Sequence, residues 1–281
     1  MARQVLSPPD DRLDFANAKL AFDHIVDPSI NADATLAQIG RLAAEATALA
    51  GPHATDAAKL AALRRVIYEG GAWNDNRPLS YDQTDPLGQN VRNKLISTYL
   101  ATRRGNCVSM PMLFLLVGER MGLNLSLATA PLHVFVRYID PLGREMNLEA
   151  TSGGHPARTI RYRQQMPMSD RAVESGLYLR TLTRREVVAL MATTVVEFLI
   201  SERRFQEAIE VGEIILRHAP RDGHDGFCRH RLWAADEHRI RRTLSNSRPD
   251  SASAADALRD AGAAQPADVS DGRGARLGAS S

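Results

Sequence analysis

Three side chains of types that cooperate in thiol chemistry occur in order along the chain: Cys107, His133 and Glu149. Cys107 follows Arg103-Arg104-Gly105-Asn106 and leads into the apolar run Met112-Leu113-Phe114-Leu115-Leu116-Val117, which has helical character. A thiol at a helix N-terminus faces unpaired backbone N–H groups and the positive end of the helix dipole, and both favour the nucleophilic thiolate. His133 opens the strand-like segment His133-Val134-Phe135-Val136-Arg137-Tyr138, and Glu149 lies in Asn147-Leu148-Glu149-Ala150-Thr151. A cysteine as nucleophile, an imidazole as base and a carboxylate to orient that base together suit attack on an amide or ester carbonyl. An oxyanion would need donors. The Cys107 backbone N–H is the first candidate, and Asn106, Asn90 and Tyr81 are side-chain candidates. His155, after Gly153-Gly154, is a rival base on a loop.

Such a set requires a helix and adjacent strands to hold it, and the pattern supplies both. Helical periodicity runs over residues 13–25, where Asp27-Pro28 stops it, then over 35–50 up to Gly51-Pro52, and over 55–69 up to Gly70-Gly71. Residues 72–88 read as a loop with Trp73 and Tyr81, and 90–104 as one helix terminated by Gly105. The helix after Cys107 extends to about Met121, with Pro111 removing a backbone donor near its start. Strands are expected at Leu125–Ala130, His133–Tyr138 and Glu145–Glu149, the last two joined by the turn Asp140-Pro141-Leu142-Gly143. The expected class is α+β: three strands in an antiparallel meander packed on the cysteine helix.

Beyond Gly154 the chain returns to helix at 184–200 and 205–217. In Arg204-Phe205-Gln206-Glu207-Ala208-Ile209-Glu210, small Ala208 beside Phe205 and Ile209 has tetratricopeptide character, as does Pro220 at the following turn. One such pair makes no solenoid groove and is expected to pack on the core. From Ser245 the chain is Ser, Ala, Gly, Asp, Arg and Pro with almost no large apolar residue, and disorder is expected there. The organisation is thus an N-terminal helical region (13–71), an α+β core (72–180), a helix pair (181–220) and a tail that is basic and then disordered (221–281).

Composition narrows the function classes. Hydrophobic residues make up 44% of the 281 positions and charged residues 24%, proportions of an ordinary globular chain. The net charge of +2 does not suggest a polyanion partner, so no nucleic-acid role is expected, and the Arg-rich stretch 229–248 reads as a solvated basic segment. No run is apolar enough to span a bilayer, since Glu197 interrupts the nearest approach, Leu190 to Ile200. The first ten residues lack the apolar segment of a signal peptide, and a cytoplasmic location is expected. Two cysteines, Cys107 and Cys228, do not form a staple framework. His218, His224, Cys228 and His230 match zinc spacings only loosely and read as scattered surface histidines of a basic tail, so no metal and no cofactor are expected.

The blocks around the three residues resemble a known family. Arg104-Gly105-Asn106-Cys107-Val108-Ser109-Met110, Glu119-Arg120-Met121-Gly122-Leu123, Pro131-Leu132-His133-Val134-Phe135-Val136-Arg137 and Asn147-Leu148-Glu149-Ala150-Thr151-Ser152-Gly153-Gly154 look like a transglutaminase-like core. The similarity, over about 15–220, is to the bacterial subgroup in which that core is followed by tetratricopeptide-like helices. It implies a papain-like α+β fold with Cys107 as nucleophile, His133 as general base and Glu149 orienting His133. The superfamily more often has Asp at the acid, and Glu149 reaches one methylene further. The resemblance implies a thiol-dependent amide hydrolase or acyltransferase, of cysteine-peptidase type, working through a thioester on a peptide or protein substrate. The second reading is a non-catalytic scaffold that holds a protein partner through its C-terminal helix pair, because a fold alone does not guarantee chemistry.

Overall fold

In a computed structural model, which describes residues 2–218, the chain folds as an α+β protein: a small antiparallel sheet flanked by helices from both ends of the sequence. The helices are α1 (Ala2–Leu6), α2 (Phe15–Val26), α3 (Ala32–Ala50), α4 (Asp56–Tyr68), α5 (Ile96–Thr102), α6 (Ser109–Arg120), α7 (Thr159–Gln165), α8 (Asp170–Glu174), α9 (Arg184–Ser201) and α10 (Phe205–His218). The strands are β1 (Ser80–Tyr81), β2 (Arg104–Gly105), β3 (Leu125–Ala130), β4 (His133–Ile139), β5 (Glu145–Glu149) and β6 (His155–Ala157). Local chemistry starts the longer helices. Asp14, Asn31 and Thr55 each accept a hydrogen bond from a backbone N–H of the first turn of α2, α3 and α4. Thr183 and Glu186 form a reciprocal capping box at α9.

The sheet order is β3-β4-β5-β6, antiparallel throughout. Its two faces serve different ends. Leu127, Val134, Val136 and Leu148 join α6 in the main hydrophobic core. Ala128, Ala130 and Phe135 point the other way and are covered by Tyr162 and Leu179 of the segment that follows β6. The same main core takes in residues of α2, α3, α4 and α9, and Ala208 and Ile215 of α10. Helix α9 is buried on nearly every side because it packs against α2, α10 and β3 at once. The expected tail and the basic stretch 229–248 lie outside the described residues, as do His224, Cys228 and His230.

Four expectations differ from the structure. Residues 90–104 are not one helix: Val91–Lys94 form a 3-10 turn and Leu95 is extended before α5. The Ile96 N–H is taken by the Asp23 carboxylate of α2 at 2.9 Å, so the helix restarts there. Arg103, in the left-handed region at φ 59°, ends α5 rather than Gly105. Gly105 instead runs in β2, parallel to β1, where a Cβ would lie 2.6 Å from the Tyr99 ring. The segment 72–88 is therefore not wholly loop, since it contains a 3-10 turn at Ala72–Asn74 and β1. The meander also has a fourth strand: β6 pairs with β5 and places His155 opposite Glu149.

One buried charge cluster ties the entry helices to the rest. Lys19 and Asp23, both fully buried on α2, pair with each other. Lys19 also donates to the Lys94 carbonyl at 3.2 Å, and Lys94 pairs with Glu197 of α9. Removing one partner of a buried pair strands the other charge without solvation. Lys19→Met is expected to destabilise the fold by ~3–5 kcal/mol, read from urea unfolding at neutral pH.

Candidate active site

Cys107 sits at the start of α6 in a turn built by its neighbour. The Asn106 side-chain oxygen accepts from the backbone N–H groups of Val108 and Ser109, both at 3.0 Å. The Ser109 hydroxyl in turn accepts from the Asn106 N–H at 3.0 Å. This reciprocal cap places Cys107 two residues before the first helical residue. Pro111 falls in the first turn of α6, between Met110 and Met112, whose N–H groups donate to the Asn106 and Val108 carbonyls at 3.1 and 3.3 Å, so the proline forgoes the one backbone bond between them. Cys107 is only 5% exposed, and its thiol lies 3.6 Å from the Leu132 carbonyl.

Leu132 belongs to the two-residue turn between β3 and β4, next to His133. It adopts φ 57°, a left-handed conformation disfavoured for leucine, and its side chain is 70% exposed. The turn brings the first residue of β4 beside the start of α6. His133 Nε2 meets Glu149 Oε2 at 2.8 Å. That leaves Nδ1 as the ring nitrogen for the thiol, and Cys107 stands within hydrogen-bonding influence of the imidazole. Glu149, 5% exposed, is held at its other oxygen by the Thr151 N–H at 3.1 Å and the Thr151 hydroxyl at 2.6 Å. Tyr162 of α7 donates to Glu149 Oε2 at 3.0 Å.

The electrostatics follow from these contacts. Burial works against a charged His133, but hydrogen bonds to Cys107 and Glu149, reinforced by their charges, overcome it and raise its pKa to about 9. Burial likewise works against an ionised Glu149, and the His133 and Thr151 hydrogen bonds overcome it, holding its pKa below the usual carboxylate value. The arrangement therefore favours a proton on the imidazole and a charge on the carboxylate.

The other candidate residues are placed differently. The Cys107 N–H donates to no described residue and so remains available. The Asn106 amide donates to the Asn93 carbonyl at 3.1 Å, and its oxygen is spent on the cap. Asn90 is exposed and caps Arg92 at 3.1 Å. Tyr81 donates to the Pro86 carbonyl at 3.1 Å. Burial, and then the proximity of Cys107 and Glu149, raise the Tyr81 pKa. His155 is engaged by another group: both its ring nitrogens lie within 2.8 Å of the Arg64 guanidinium on α4. The loop before Asn90 presses on this wall through Gly88, at φ 62°, where a Cβ would come within 2.6 Å of the Asn106 amide. Sequence reasoning missed Tyr162 and the role of Thr151. Thr151 has a legible signal, a hydroxyl two residues beyond a carboxylate; Tyr162 has none.

Residues 33–193 match the model of the transglutaminase-like superfamily. The chain belongs to that superfamily. The matched region contains Cys107, His133, Glu149 and Tyr162 and ends within α9, so α10 lies beyond it. No curated protein and no solved structure matches the chain. Among the described residues of this transglutaminase-like protein, no three His, Cys, Asp or Glu side chains are placed to hold a metal. No described helix is long and apolar enough to cross a membrane.

The raised His133 pKa has a consequence for stability. The ordinary value is 6.5 and the folded value about 9, so the stabilisation from the charged imidazole is fully present below 6.5. It is lost as pH rises through about 9. The difference in thermal midpoint between the native chain and His133→Ala is expected to narrow across that interval in melts recorded at successive pH values.

Proposed function

We propose that this transglutaminase-like protein is a thiol-dependent amide hydrolase or acyltransferase acting on a peptide or protein carbonyl group. The observation that carries the reading is the linked series of thiol, imidazole and buried carboxylate, with the imidazole holding its proton well above its ordinary range. In this reading the Cys107 sulfur attacks the carbonyl carbon, forming a C–S bond and sending the π electrons to oxygen. The unengaged Cys107 N–H donates to that oxyanion. Collapse re-forms the carbonyl and breaks the C–N bond, and the departing amine takes the proton held by His133. The thioester is then attacked by water, giving hydrolysis, or by an amine, giving transfer. His133 accepts the proton of the incoming nucleophile and keeps it as the sulfur leaves as thiolate, which restores the starting thiolate–imidazolium pair. Glu149 holds Nε2 throughout and supports the imidazolium.

The pH dependence of Cys107 alkylation by iodoacetamide tests this. Modification is read by peptide mass spectrometry, so that Cys228 is counted separately. A thiolate–imidazolium pair gives two steps: a first rise well below about pH 8.5, the ordinary thiol range, and a second near pH 9 where the imidazolium loses its proton. His133→Ala is expected to collapse the profile to one step in the ordinary range and to slow modification at pH 6 by at least ~10-fold. A single unshifted step in the native chain would instead favour a scaffold with an inert cysteine.

A further inference from the structure

Glu149 is held by a group that lies on none of the elements carrying the three proposed catalytic side chains. The Tyr162 hydroxyl, on α7, donates to Glu149 Oε2 at 3.0 Å, the oxygen that also receives His133 Nε2 at 2.8 Å. The ring is 2% exposed and stacks on Phe135 of β4, with centroids 4.2 Å apart and planes 15° from parallel. It also lies 6.0 Å from the His133 ring. Phe135 and Tyr162 share the smaller core with Ala128, Ala130 and Leu179, so the hydroxyl is aimed by packing rather than by chance rotation. Burial, and then the negative Glu149 beside it, raise the phenol pKa, which keeps Tyr162 a donor throughout the working pH range.

Resting on the triad reading above, we infer that Tyr162 is a positioning residue that divides the charge of Glu149 Oε2 between itself and His133. It thereby sets how tightly the imidazole holds its proton. A carboxylate oxygen that serves two donors gives each less than it would give one alone. Without the phenol, more of that charge falls on Nε2–H, and the imidazolium is held more strongly. Tyr162 therefore lowers the proton affinity of His133 from what an unshared Glu149 would produce. That makes release of the proton to a departing amine easier, while the hydroxyl and Thr151 together prevent the carboxylate from swinging away.

Other ionisable groups around this cluster act from fixed positions. Cys107 faces His133 from the start of α6, and Tyr81 of β1 and Tyr68 of α4 feel the Glu149 charge. Arg137 of β4 and Arg161 of α7 act on Tyr162 electrostatically. Arg137 is itself paired with Glu145 at 3.3 Å. His155, opposite Glu149 on β6, is occupied by Arg64. None of these donates to Oε2, so the effect of removing the phenol is assigned to the shared oxygen.

The test is the two-step alkylation profile of Cys107 in the full chain. Tyr162→Phe is expected to keep the low-pH step and move the upper midpoint upward by about half to one pH unit, the scale of one redistributed hydrogen bond. Replacing Tyr162 with 3,5-difluorotyrosine strengthens the phenol as donor, preserves the ring packing and is expected to move the upper midpoint downward. A tyrosine that only fills space would lower the thermal midpoint on conversion to Phe and leave both alkylation midpoints in place. Unmoved midpoints in the fluorinated protein, with the native two-step profile present, overturn the proposal, including where Tyr162→Phe fails to fold. A native profile with one ordinary step sinks the triad reading itself, and the role of Tyr162 falls with it.

Discussion

A carboxylate taken almost entirely out of water is the constraint around which this molecule is arranged. Glu149 retains 5% exposure, and an ion so placed is tolerated only where donors replace its lost hydration. Four hydrogen bonds do so, two from Thr151, one from His133 and one from Tyr162. Each donor comes from a different local setting: the 3-10 turn just after Glu149, the start of β4, and α7. The anchoring of Glu149 thus also holds the β4 hairpin and the segment after β6 in place.

That anchoring fixes the imidazole, and the imidazole in turn gives the cysteine its surroundings. Cys107 by itself is a small buried residue of a type common in cores. What distinguishes it is the reciprocal Asn106–Ser109 cap that stops α6 two residues short and leaves the Cys107 N–H unengaged. The left-handed Leu132 adds a carbonyl beside the sulfur, and backbone strain of this kind clusters at functional sites. The two faces of the sheet divide this labour. One packs α6 into the main core, while the other, with Phe135, backs the ring whose hydroxyl reaches Glu149.

Contacts between residues far apart in sequence tie the two ends of the described chain together. Asp23 and Lys19 of α2 hold the Ile96 N–H and the Lys94 carbonyl, where α5 begins. Arg184 of α9 donates to the Leu13 carbonyl at 2.7 Å and lies 4.0 Å over the Phe15 ring, joining the C-terminal helices to the N-terminal ones. These contacts span more than 150 residues of sequence. Helix α9 shows no single buried stripe because α2, α10 and β3 pack on it together.

Much of this was legible in the sequence because it is local. Helical and strand periodicity and the order Cys107, His133, Glu149 with their flanks carry the α+β class and the superfamily. What tertiary structure alone decided depends on groups distant in sequence meeting in low-dielectric surroundings. Asp23 claims the Ile96 N–H and breaks a helix that periodicity draws as continuous. Arg64 engages the His155 ring, and Tyr162, an aromatic in a short basic helix, becomes a partner of the buried acid. No local pattern encodes these outcomes, because a buried polar group accepts whichever partner the packed chain brings within reach.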